Sequence, residues 1–178
     1  NVNGKDYVVA LINGAGKLNV SGLNKGTYKV NVTYAGDDKY SACNSTTDFV
    51  VNAADLGAEV IALNVTVEDY TQFVISVPDD FNGNVSISVG SNVLYNGTVK
   101  SLINGSKLAA GDKNAVAVFY GDENYETFKL ENVEFTVSRV DSTVDVTIDD
   151  VTYPANAIAI INISNNANGT VNVTVDGK

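Results

Sequence analysis

Apolar and polar residues alternate strictly from Tyr28 to Tyr34. Tyr28, Val30, Val32 and Tyr34 share one side, and Lys29, Asn31 and Thr33 the other. A period of two is that of a strand with one buried face. A less clean version runs through Val116, Val118 and Tyr120. Further apolar runs predict strands at residues 7–12, 17–20 and 48–51, and again at 64–67, 73–77, 84–89, 93–95, around Leu102, at 115–120 and at 133–137. The pattern restarts at 144–150 and 168–175. No stretch sustains a 3.6-residue apolar period, and residues 53–59 read as a linker or a single turn. Asn-Gly pairs at 3, 13, 82, 96, 104 and 168, with Asp176-Gly177, supply the positive φ angles of two-residue hairpin turns and predict strand-to-strand joints.

The strands recur with a period. Residues 26–40 return as residues 111–125, with Gly26, Gly36, Asp37 and Tyr40 answered at a constant spacing of 85 by Gly111, Gly121, Asp122 and Tyr125. A fixed offset of this kind marks an array of similar units. Residues 64–69 are answered at 144–150, Tyr70 by Tyr153, and 82–89 at 168–175, with the offset drifting from 81 to 86. The chain therefore reads as the back part of one repeat at 1–53, a complete repeat at 54–139, and the front part of a third at 140–178. The complete repeat holds about seven strands with turn signals every 8 to 12 residues, which is the pattern of an Ig-like sandwich. The expected fold is all-β: tandem Ig-like antiparallel β-sandwich repeats of about 85 residues. Each partial repeat would expose its core, which leaves three expectations open: the stretch is cut from a longer array, the two parts close on each other within the chain, or the 140–178 part of one copy completes the 1–53 part of the next.

Composition narrows the function classes. A net charge of -10 repels nucleic acid phosphates and anionic lipid, so no nucleic acid partner is expected. No run of 18 apolar residues is present, and no membrane insertion is expected of this stretch. An export signal, if there is one, is expected outside it. A single cysteine, Cys43, rules out an intrachain disulfide and is expected to be buried as a small hydrophobe.

The ordered combination Asn-Gly-x-Val-x-Val-x-Val-Asp-Gly-Lys at 168–178, followed in register by Gly-Thr-Tyr-x-Val-x-Val-x-Tyr-x-Gly-Asp-x-x-Tyr at 26–40 and its echo at 111–125, resembles the bacterial Ig-like repeat family. It is most similar to the tandem repeats of adhesin-like surface proteins in methanogenic archaea. The central repeat departs from the pattern, with Gly90-Ser91-Asn92 after Val89 and Asp112-Lys113-Asn114 after Gly111. The resemblance implies an extracellular, cell-surface address and a role as stalk or adhesin, and it brings no catalytic residues.

Candidate chemistry is sparse. Without histidine, neither a catalytic triad nor a His-based zinc site can form, and a non-enzymatic protein is expected. The loops at Asp37, Asp38 and at Asp122, Glu123 pair carboxylates in a way that suits a hard cation, as do Asp149 and Asp150. No Asp-x-Asp-x-Asp-Gly spacing accompanies them, so turn chemistry is the preferred reading and no cofactor is expected, calcium being the one alternative. Asp149 and Asp150 would bridge two repeats if they lay near the 139–140 junction. Glycosylation sequons are more numerous: Asn19, Asn31, Asn44, Asn64, Asn84, Asn96, Asn104, Asn162, Asn168 and Asn172 each precede x-Ser/Thr. Expected partners are neighbouring repeats or further copies of the chain. A filament subunit built by strand complementation is one alternative function. A module binding a host-cell or polysaccharide ligand is the other, and exposed aromatics grouped on one face would favour it.

Overall fold

The computed structural model describes residues 1–2, 4–164 and 167–175. The chain is all-β. β1 (Gly26–Tyr34) and β2 (Cys43–Val51) form an antiparallel two-stranded sheet. The next eight strands are β3 (Glu59–Leu63), β4 (Val65–Thr66), β5 (Gln72–Ser76), β6 (Asn84–Val89), β7 (Asn92–Thr98), β8 (Leu102–Asn104), β9 (Gly111–Phe119) and β10 (Phe128–Ser138). They make one sheet in the order β4-β10-β9-β6-β7 and another in the order β3-β5-β8. β11 (Val144–Ile148) and β12 (Ala159–Ile163) form a last antiparallel pair.

The core lies between the two central sheets. Phe73 and Ile75 of β5 and Ile103 of β8 meet Val85 and Ile87 of β6, Ala117 and Phe119 of β9, and Phe135 and Val137 of β10. These residues recur at every second position because side chains on a strand point alternately to opposite faces. Phe73 and Phe135 meet edge to face across the sheets, with ring centroids 5.8 Å apart. A fully buried phenylalanine such as Phe73 contributes about 1.5–3 kcal/mol by leaving water.

The spacing of 85 residues is shared by two strand pairs. β9 begins and ends 85 residues after β1, and Tyr34 opposite Cys43 becomes Phe119 opposite Phe128 at the same displacement. The registers stay in step until a bulge between Leu130 and Val133, where Asn132 takes a φ of 64°.

Several expectations are corrected. Residues 7–12 and 17–20 are not strands. Their counterparts in the central unit are β7 and β8, which pair with β6 and β5, and among the described residues no equivalent of β6 or β5 pairs with 7–12 or 17–20. Residues 167–175 likewise join no ladder, and an unpaired strand leaves its backbone groups to water. The stretch read as a linker up to residue 59 leads straight into β3, and the continuous run of β12 had no alternation to announce it. Asn96-Gly97 sits inside β7 and not at a turn; the β6–β7 turn is made by Gly90, with φ 57°, and Ser91. Asn13-Gly14 does form a turn, both residues at positive φ between the bridged Ile12 and Ala15. Asn3 of the first Asn-Gly pair and Asp176-Gly177 lie outside the described residues. Cys43 is exposed: it is the first residue of β2, opposite Tyr34 at the hairpin end of a two-stranded sheet.

Candidate functional site

The repeated loop has the same internal geometry in both copies. The Asp37 amide donates to the Tyr40 carbonyl (2.9 Å), and the Asp122 amide to the Tyr125 carbonyl (3.1 Å). Asp37 Oδ1 accepts from the amides of Lys39 and Tyr40, each at 2.7 Å. Asp122 Oδ1 accepts from Asn124 (2.8 Å) and Tyr125 (2.9 Å) in the same way. This is an aspartate bonding its own turn backbone. The glycine ahead of it is required by space. A Cβ on Gly36 would lie 2.8 Å from the Tyr40 carbonyl oxygen, and one on Gly121 would lie 2.5 Å from that of Tyr125.

Both aspartates are held below the usual carboxylate range. For Asp37 the main cause is the Tyr34 hydroxyl beside it, followed by the Lys39 and Tyr40 amides. For Asp122 it is chiefly the Asn82 amide, which donates to Oδ2 at 2.9 Å. The Tyr125 hydroxyl donates to Asp80 Oδ1 at 2.7 Å, and this bond raises the tyrosine's pKa. Its ring meets Phe81 edge to face at 5.8 Å, tying the loop to the core.

The central copy of the loop also makes a joint. Asn124 Oδ1 accepts from the Lys25 amide (3.1 Å), and Asn24 Nδ2 donates to Glu123 Oε1 (2.6 Å). The Ala54 amide donates to the Asn124 carbonyl (2.8 Å), and the Glu126 amide to the Ala54 carbonyl (3.1 Å), forming a parallel bridge between Ala54 and Tyr125. The loop thus grips both the lead-in to β1 and the segment that follows β2. Tyr40, at the equivalent place in the first copy, is 67% exposed.

The carboxylates proposed for calcium are dispersed or already engaged in turn bonds. Asp37 and Asp122 hold backbone amides, Glu123 holds Asn24, and Asp38 is exposed. Asp149 and Asp150 directly follow β11 and are exposed. Among the described residues no group of three or more His, Cys, Asp or Glu side chains is placed to hold a metal ion.

All ten sequon asparagines are exposed. Asn64 Oδ1 accepts from the Thr136 amide (2.7 Å), Asn104 Oδ1 from Gln72 Nε2 (3.3 Å), and Asn31 Oδ1 from the Thr46 hydroxyl (2.9 Å). Asn19, Asn168 and Asn172 lie outside strands, and Asn162 stands opposite Asp145. A groove of about 430 Å³ runs between Asn64, Glu68, Asp69, Gln72 and Asn104, and its only aromatic is Tyr70, with the Lys107 ammonium 5.4 Å from the ring.

The joint was not predictable from local pattern, since Asn24 and Glu123 are 99 residues apart. The repetition of its loop was the one available signal. Compared with protein-family models, with curated proteins and with solved structures, the chain finds no match in any of the three.

Proposed function

We propose that this chain is a non-enzymatic structural segment of a cell-surface protein: a stalk of tandem Ig-like sandwiches in which each unit is locked to the one before it. The observation that carries the reading is the joint, where Glu123 and Asn124 hold Asn24, Lys25 and Ala54. Such a contact has no use in an isolated domain, and it fixes the angle between successive units. Strand order supports the Ig-like assignment. β6, β9 and β10 are sheet neighbours as the C, F and G strands are, and β3, β5 and β8 as A, B and E are. The acidic surface keeps neighbouring stalks apart. The test is protease shaving of intact source cells. Release of peptides from this chain supports a surface stalk, and their appearance only after lysis overturns it.

A second reading, a filament subunit, rests on a separate observation. Residues 7–51 hold counterparts of β7 to β10, whereas 144–175 hold counterparts of the earlier strands, so the front of one copy and the back of another together supply a whole unit. Val144, Val146 and Ile148 share the apolar face of β11 at 62%, 51% and 57% exposure, and no ladder joins β11 or β12 to β1 or β2. The occupant this reading commits to is a second copy, its β1–β2 covering β11–β12 as β9–β10 covers β3–β5. Light scattering across a concentration series separates the outcomes. Linear multimers that Val146→Asp abolishes support it, and a monomer at every concentration overturns it.

A further inference from the structure

Four of the ten sequons are arranged as crossed pairs. On β1–β2, Asn31 stands opposite Thr46 and Thr33 opposite Asn44, so the sequons 31–33 and 44–46 face each other with asparagine against hydroxyl. On β6–β7 the same crossing recurs: Asn84 opposite Thr98 and Ser86 opposite Asn96. Residues i and i+2 of a strand share a face, so each box places two asparagines and two hydroxyls together on the side of the sheet away from the buried positions. Val85 and Ile87 point the other way, into the core.

A second observation concerns β7. It is the free edge of the five-stranded sheet, seven residues long, and carries no proline and no charged residue between Asn92 and Thr98. Edge strands of this length are ordinarily guarded by charge, proline, a bulge or a cover. Here the register shift between Ile87 and Ser88 lies near the turn and leaves the Asn96 half of the strand unguarded.

We propose that the β6–β7 box is an N-glycan acceptor that takes one glycan, on Asn96, and that this glycan is the cover of the β7 edge; the β1–β2 box is the same device in the first unit. The donor class is a sugar carried on a polyprenyl phosphate. Asn96 Nδ2 attacks the anomeric carbon, the C–N bond forms, and the bond from that carbon to the phosphate oxygen breaks. The lipid phosphate leaves, and a base of the transferase takes one amide proton. The box admits one transfer because its asparagines are diagonal neighbours, about 7–8 Å apart. A glycan on Asn96 covers Ser86 directly opposite, and Ser86 is the hydroxyl that the Asn84 sequon requires. Asn96 is favoured over Asn84 because β7 has one neighbouring strand and β6 has two. Its middle residue, Gly97, also leaves the sequon backbone free to enter a transferase site.

The inference rests on the exported address proposed above, so the experiment imposes export. The full chain, behind an added leader peptide, is produced in cells whose secretory route transfers lipid-linked oligosaccharide to Asn-x-Ser/Thr. Intact mass and glycopeptide mapping then give occupancy. The expected result is one oligosaccharide within 84–98, on Asn96. In Asn96→Gln, and in Thr98→Ala, which retains the asparagine, the glycan moves to Asn84, whose own sequon with Ser86 is intact. The double variant Ser86→Ala, Thr98→Ala, which keeps both asparagines but has no sequon in this box, self-associates at lower concentration than the glycosylated parent. Glycans on Asn84 and Asn96 of the same molecule overturn the exclusive box, and glycan at other sequons with none in the box overturns the site. Absence of glycan from every sequon despite export does the same, leaving the stalk reading to its own shaving test.

Discussion

The Lys25 amide donates to the side-chain oxygen of Asn124 over 3.1 Å, joining residues 99 positions apart. Asn124 therefore serves two distant segments: its amide belongs to the Asp122 turn and its side chain to the lead-in of β1. Asn124→Ala removes only the second role. The expected outcome is faster amide hydrogen exchange at Lys25 and a loss of about 0.5–1.5 kcal/mol from the joint. Exchange within β9 should stay unchanged. Unaltered protection at Lys25 would remove the joint from the account.

Acid should open the loop before it melts the core. Asp122 is held below the ordinary aspartate value of about 3.9, so its contribution is present above that value and is lost as pH falls through its lower folded one. Asp37 follows the same sign in the first copy. Amide exchange at Asn124 and Tyr125 is expected to rise below about pH 4. In Asp122→Asn, which cannot titrate, the pH dependence from this residue should vanish, and a variant with the same acid profile as the parent would contradict the assignment.

The loop glycine is a steric requirement. Gly121→Ala sets a methyl 2.5 Å from the Tyr125 carbonyl oxygen and 2.9 Å from the Thr127 amide nitrogen. It is expected to cost about 1–3 kcal/mol, as overpacking does. Thermal unfolding of the purified variant measures it, and a midpoint equal to that of the parent would show that the backbone gives way freely.

Core and hairpin should respond differently to the same truncation. Phe73→Ala empties a fully buried site shared by both sheets and should cost about 3–5 kcal/mol. Phe49 stacks on Tyr28 but keeps one side in solvent, and Phe49→Ala should cost far less in the monomeric chain. Denaturant titration reads both. A large Phe49 effect that grows with protein concentration would show that a second copy covers β1–β2.

What was legible in the sequence was whatever alternated. β1, β6 and the β9–β10 pair were readable because their buried and exposed positions obey period two, and Gly36, Asp37 and Tyr40 were readable as a unit because 121, 122 and 125 repeat them. β3 and β12 escaped because one follows directly on a loop and the other is almost uniformly apolar. Residues 7–12 have strand composition without a strand partner, and composition does not report whether a partner exists. The Asn-Gly rule worked at Asn13 and failed at Asn96, where Gly97 lies in a ladder opposite Val85. The crossing of the sequons depends on register, which only the paired strands reveal.

The short strand β4 has a mechanical consequence. Val65 and Thr66 run parallel to Val137 and Ser138 at the end of β10. The patch is extended by the bond from the Val67 amide to the Ser138 carbonyl and by that from the Thr136 amide to Asn64. Tension drawn along the chain reaches this patch from the amino-terminal side of β4 and the carboxy-terminal side of β10, pulling parallel strands in opposite directions. The hydrogen bonds are then sheared together instead of being unzipped one at a time.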